Sequence, residues 1–71
     1  MYYVSSNWWQ SYAAVESTGG PGVFQARALL GGTNRWGVRS RYSSHAQVEG
    51  YSWTHNAWLY LDGSVWKRAQ G

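Results

Sequence analysis

No cysteine occurs in the chain, so no disulfide can staple it. Charge is scarce as well: 13% of the residues are Asp, Glu, Lys or Arg, about half the ordinary share, and the formal net charge is only +3. That balance tolerates an anionic partner without requiring one, and it argues against nucleic acid as the ligand. No run approaches the ~20 apolar residues of a helical membrane span. The only two histidines, His45 and His55, stand ten apart with no cysteine or carboxylate at ligand spacing, so neither a zinc site nor any other cofactor is expected. A strained nucleophile motif of the Gly-x-Ser-x-Gly kind is also missing. Glu16, Glu49 and Asp62 are the only carboxylates, too few to suggest a glycosidase pair once Asp62 is given a turn and Glu49 an arginine. The composition points away from an enzyme.

Aromatic side chains are what the chain has in excess: six Trp, six Tyr and one Phe among 71 residues. A single domain this short buries only about 60% of the surface its unfolded form exposes, and each enclosed aromatic hides about 150–250 Å². Thirteen of them exceed one thin core. Several must therefore lie outside, where contiguous apolar surface marks a subunit interface or a ligand platform. Chains below roughly 70–80 residues lean on a disulfide, a metal or a partner subunit, and with the first two missing, homo-oligomerisation is the expected support.

Apolar residues alternate in short runs punctuated by Gly, Asn and Asp, which is the pattern of strands. The expected fold is one all-β domain spanning residues 1–71, a small antiparallel sandwich or barrel of five to six short strands, completed by oligomerisation. The strands are placed at 2–9, 12–16, 23–30, 35–42 and 46–54, with a final hairpin over 58–68. Thr18-Gly19-Gly20-Pro21-Gly22 is a loop, because Pro21 locks φ and the glycines admit positive φ. Asp62-Gly63 is the strongest hairpin signal, since a type I′ turn needs positive φ at both central residues. A regular ladder from that turn pairs Leu59 with Trp66 and Trp58 with Lys67. It puts Leu59, Leu61 and Trp66 on the core face, and Trp58, Tyr60 and Lys67 outside. In 23–30 the even positions Phe24, Ala26, Ala28 and Leu30 form the buried face; in 35–42 Trp36, Val38 and Tyr42 do the same.

If 35–42 and 46–54 form a hairpin through Ser43-Ser44-His45, Arg41 faces Gln47, Arg39 faces Glu49, Gly37 faces Tyr51 and Arg35 faces Trp53. One surface then carries Arg35, Arg39, Arg41, Glu49, Tyr51 and Trp53. Pyranose rings stack their C–H faces on flat aromatics while their hydroxyls bond to Arg, Glu and Gln, so this mixture suits a sugar. The same residues also read as a solvated strand face with an Arg39–Glu49 ion pair and an Arg35–Trp53 cation–π contact. Arginines beside Tyr51 and Trp53 have the chemistry of a single-strand nucleic-acid platform too, but with one Lys the basic charge is thin. In Asn7 to Tyr12, adjacent Trp8 and Trp9 point to opposite faces, one inward. Trp9, Trp58 and Tyr60 are the candidates for a subunit interface.

Tyr2-Tyr3-Val4-Ser5-Ser6-Asn7-Trp8-Trp9 followed by Ser17-Thr18-Gly19-Gly20 resembles the opening of the cyanobacterial and myxobacterial high-mannose agglutinins, although Trp-Trp-Gln stands where that family has Trp-Gly-Gly. Gly37 to Ala46 is similar to a segment of the lactococcin-type bacteriocins, cysteine-free β-sandwiches acting at the cell envelope. The resemblances imply a β fold and an extracellular target and carry no residue across. The expected function is a non-catalytic, lectin-like module for glycans or cell-envelope polymers, extracellular or virion-associated. The rival expectation is a self-assembling structural subunit of a virion, tail or filament.

Overall fold

Small buried residues at every second position of 11–15, 26–30, 44–48 and 57–59 let the strands of this chain pack face to face. The computed structural model describes residues 1–70: β1 (Tyr2–Asn7), β2 (Gln10–Glu16), β3 (Phe24–Leu30), β4 (Thr33–Trp36), β5 (Ser43–Glu49), β6 (His55–Leu61) and β7 (Ser64–Gln70). They form two antiparallel sheets of a small sandwich-like fold, ordered β1-β2-β5 and β4-β3-β6-β7. The fold class is as expected, with seven strands instead of five or six.

The interior between the sheets is lined by Ala13, Val15, Ala46 and Val48 on one side and Ala26, Ala28, Leu30, Ala57 and Leu59 on the other. No larger side chain than Leu59 is fully enclosed. None of the thirteen aromatic side chains is buried. Alanine on both facing strands leaves too little room to enclose a ring, so the aromatics lie on the outer faces and the ends, with Phe24 packed partly buried against the core.

Serine hydroxyls cross the gap. Ser44 of β5 accepts from the Ala26 amide of β3 at 2.9 Å and donates to the Val38 carbonyl at 2.5 Å. Ser11 of β2 donates to the Leu29 carbonyl at 2.6 Å. Ser6 lies 3.2 Å from Ser11 and 2.6 Å from His55 Nδ1. Ser11 has already used its one proton, so the assignment that fills every contact runs from His55 Nδ1–H to Ser6, to Ser11, to the Leu29 carbonyl.

The expected 35–42/46–54 hairpin does not form. β4 stops at Trp36, and the chain crosses to the other sheet, where β5 pairs with β2 from Gln10↔Glu49 to Glu16↔Ser43. Ser43-Ser44-His45 is strand, not loop, because Ser44, Ala46 and Val48 are a small inward-facing series. Gly37 makes the crossing possible: a Cβ there would stand 2.4 Å from the His45 carbonyl oxygen. The supposed inner residues Trp36, Val38 and Tyr42 are exposed.

The final hairpin turns as expected, with φ of 53° at Asp62 and 84° at Gly63. Leu61 pairs with Ser64 and Tyr60 with Val65, but the register then shifts, so that Leu59 faces Lys67 and Trp58 faces Arg68. Trp66 is the extra residue of a bulge. Lys67 therefore leaves the outer face on which a regular ladder had placed it; its Nζ sits 4.9 Å from the Tyr2 ring, and Trp66 packs against Tyr2 and Phe24. Trp66 thus closes one side of the sandwich as a partly exposed cover.

Removing the Ser44 hydroxyl leaves the buried Ala26 amide without its acceptor. Ser44→Ala is expected to cost about 1–3 kcal/mol in urea unfolding, whereas Ser43→Ala, on the exposed face of the same strand, should stay within about 0.5 kcal/mol.

Candidate functional site: an aromatic platform and a cation ladder

Asn7 organises one end of the molecule. Its side-chain oxygen accepts from the Trp9 and Gln10 amides at 3.1 and 3.0 Å, folding residues 7–10 into a tight turn between β1 and β2. Trp8 and Trp9 sit in that turn and both are exposed, so neither enters the core as a strand through residue 9 would have required. The segment after β5 is fastened to this turn: the Gly50 amide donates to the Trp9 carbonyl and the Ser52 amide to the Trp8 carbonyl, at 3.2 and 2.8 Å. Ser52 Oγ accepts from the Thr54 amide, and the Thr54 carbonyl accepts from Gly31 in the β3–β4 turn.

Upon this bonded base lie three rings. Trp8 stacks with Tyr51 at a centroid distance of 5.4 Å and 29°, and meets Trp53 at 6.1 Å and 38°. Trp8 is the support, and the outer two rings are almost wholly in water, Tyr51 at 83% and Trp53 at 86% exposure. Glu49 precedes this segment and accepts from Gln47 Nε2 at 2.9 Å; it faces Gln10 across the β2–β5 ladder.

Beside β5, between the two sheet edges, runs an open groove of about 520 Å³ lined by Thr33, Arg35, Trp36, His45, Gln47 and Glu49. Arg35 and Glu49 thus share one depression, although not as strand partners. Arg41 lies elsewhere. Its Nε donates to the Gly20 carbonyl at 2.6 Å in the β2–β3 loop, which belongs to the opposite end of the sandwich from Tyr51 and Trp53. Arg39 belongs to the same crossing segment as Arg41 and is exposed. The six residues expected on one face are therefore split: Tyr51 and Trp53 on the platform, Arg35 and Glu49 in the adjoining groove, Arg39 and Arg41 on the 37–42 crossing. The Arg39–Glu49 and Arg35–Trp53 pairings are not made, because the hairpin that implied them is absent.

The outer face of the four-stranded sheet carries a different arrangement. Trp36, Arg27, Trp58 and Arg68 stand in one cross-strand row over β4, β3, β6 and β7. The Arg27 guanidinium lies 4.7 Å from the Trp36 ring and 4.3 Å from the Trp58 ring. It also bonds Asn34 Oδ1 at 2.8 Å and the Tyr60 hydroxyl at 3.2 Å, while Tyr60 leans on Trp36 at 5.2 Å. Trp58 and Tyr60 are on the outer face as expected; their rings are half-buried against their own chain.

His45 meets the Tyr12 ring edge-on at 5.5 Å. The Ser6–His55 contact, 2.6 Å between a hydroxyl and an imidazole nitrogen, is part-buried between the strands, where the Ser6 hydroxyl also meets Ser11. Among the described residues no three His, Asp or Glu side chains converge. Comparison with protein-family models, curated proteins and solved structures finds no match, so neither the agglutinin-like opening nor the bacteriocin-like segment extends to a family.

Trp8 and Arg27 are the contributors that pattern reading missed. Asn7, a turn former directly before Trp8, was the available signal for the first. Arg27 gave none, since its partner Trp36 was assigned inward.

The ladder yields a stability prediction. Arg27→Ala removes two cation–π contacts worth about 0.5–1 kcal/mol each together with its hydrogen bonds, so unfolding stability should fall by roughly 2 kcal/mol. Arg27→Lys should recover only part of it, because an ammonium cannot lie flat between two rings and keep the Asn34 and Tyr60 bonds.

Proposed function

We propose that the chain is a non-catalytic, lectin-like binding module that takes glycans on the platform of Trp8, Tyr51 and Trp53. One observation carries the reading: two large aromatics are more than four-fifths exposed and yet stand on a fixed base. Rings that served only the fold would be covered. Rings that were merely loose would not be stacked on Trp8 in a segment held by three backbone bonds and the Ser52 hydroxyl. Fixing the surface before the ligand arrives reduces the ordering cost of binding.

A pyranose suits such a surface because its C–H face is apolar and its rim is polar. The C–H face lies on Tyr51 or Trp53. The hydroxyls reach for Glu49 and Gln47, and farther along the chain of sugars for Arg35 in the groove. Arg39 and Arg41, on the crossing segment, have no part in this binding.

The test is a screen of immobilised glycans and insoluble cell-wall polysaccharides followed by titration of the best ligand. Losing a central aromatic anchor costs about 2 kcal/mol or more, so Trp53→Ala should weaken binding at least roughly thirtyfold with the unfolding midpoint unchanged. Arg41→Ala should bind as the parent does. Absence of any bound glycan, or a Trp53→Ala variant that binds normally, refutes the proposal.

A further inference from the structure

A sandwich of two open sheets has four edge strands, and natural edges are guarded by charge, shortness, bulges or covering loops. Three of the four are guarded here. β4 is four residues long and carries Arg35. β7 is broken by its bulge and carries Lys67 and Arg68. β5 begins under the crossing segment, which Ser44 ties down through the Val38 carbonyl. β1 alone carries no guard of its own: it is Tyr-Tyr-Val-Ser-Ser-Asn, six residues with no charged side chain, no proline and no glycine, in unbroken register with β2, and Lys67 of β7 reaches only the ring of its first residue, Tyr2.

The free groups on that edge follow from the pairing. Met1 and Glu16 exchange two backbone bonds, Met1 N to Glu16 O at 2.7 Å and Glu16 N to Met1 O at 2.8 Å. Antiparallel pairs alternate between bonded and non-bonded, so Met1, Tyr3, Ser5 and Asn7 point their amides and carbonyls at β2. Tyr2, Val4 and Ser6 point theirs away from the sheet, and among the described residues no strand or loop takes them.

We infer that β1 pairs with β1 of a second copy, antiparallel about a two-fold axis through Val4. In that register Val4 faces the other Val4 and Tyr2 faces the other Ser6, each pair exchanging two bonds. Tyr3 and Ser5 face one another across the axis on the outer surface. The arrangement is self-complementary, as a two-fold interface must be. It brings no like side-chain charges together in the joined strands, and it joins two three-stranded sheets into one of six. The second copy is the occupant because the edge fits itself, and because a chain of this length without disulfide or metal ligands is short of core.

The dimer stands independently of the glycan reading; one consequence rests on it. Trp8 lies four residues beyond Val4, so the two platforms would sit at opposite ends of the joined strands, with the two Trp8 about 26 Å apart at ~3.3 Å per residue. Such a dimer cross-links glycan surfaces instead of doubling its grip on one.

A chain with no native cysteine allows a clean test. Directly opposed residues of a non-bonded antiparallel pair have Cα atoms about 4.5 Å apart, inside the ~4.4–6.8 Å range a disulfide accepts. Residues on the diagonal are ~7–8 Å apart. An equimolar mixture of Tyr3→Cys and Ser5→Cys chains should therefore oxidise rapidly to a covalent heterodimer, and either variant alone should do so much more slowly. Sedimentation of the parent chain should show twice the monomer mass at high concentration and reversible dissociation on dilution. A parent that stays monomeric up to about millimolar concentration overturns the dimer, as does a parent dimer whose mixed variants cross-link no faster than the single ones. If the dimer fails while Trp53→Ala still abolishes glycan binding, only bivalency is lost.

Discussion

How closely two sheets approach is set by the side chains between them, and here those side chains are mostly alanine. Ala13 and Ala46 face Ala26, Ala28 and Ala57, with Leu59 the largest group fully enclosed. A gap of that width transmits little hydrophobic stabilisation per residue, since burying a methyl group removes far less apolar area than burying a leucine or a ring. The same narrowness expels every aromatic but Phe24, which packs against the core without being fully enclosed. What would be the core of a larger sandwich is turned outward, and the remaining architecture is a set of solutions for rings that cannot go inside.

Those solutions differ in how much water they exclude, and the difference separates structural rings from available ones. Trp58 and Tyr60 press on Arg27, Trp66 covers Phe24 beside Tyr2, and Tyr12 packs between Tyr3 and His45. In each group at least one ring is half-buried, so the cluster substitutes for missing interior. Tyr51 and Trp53 gain no such cover, and their exposure is unmatched by any other ring in the chain. The serine bridges complete the compensation. With few dispersion contacts between the sheets, Ser44 and Ser11 lock their relative position through directional bonds, and a small core tolerates the hydroxyls because each one is satisfied.

What could be read beforehand was local. The inward series Phe24, Ala26, Ala28 and Leu30 and the positive-φ pair Asp62-Gly63 depend on adjacent residues, and both stand as read. The residues 35–42 misled because Trp36, Val38 and Tyr42 alternate convincingly with three arginines. Apolar alternation says which residues could face a core, not whether the core is wide enough for them. That width is fixed by alanines up to thirty residues away in sequence. The bulge at Trp66 escaped for a related reason: Tyr2 and Phe24, which hold the ring, come from other strands. Of the site, Tyr51 and Trp53 were identifiable as exposed aromatics, but their neighbour was not. Trp8 reaches them only through the β2–β5 ladder, a long-range pairing that the supposed hairpin had displaced.

The platform and the β1 edge are joined through Asn7. The same residue that ends β1 forms the turn presenting Trp8, and the carbonyls of Trp8 and Trp9 in that turn hold residues 50–52. Any partner strand bonded along Tyr2, Val4 and Ser6 would stiffen the strand from which the turn springs. Ser6 is also the residue that meets His55, so the edge, the platform and the hydroxyl chain into β6 share a few consecutive residues.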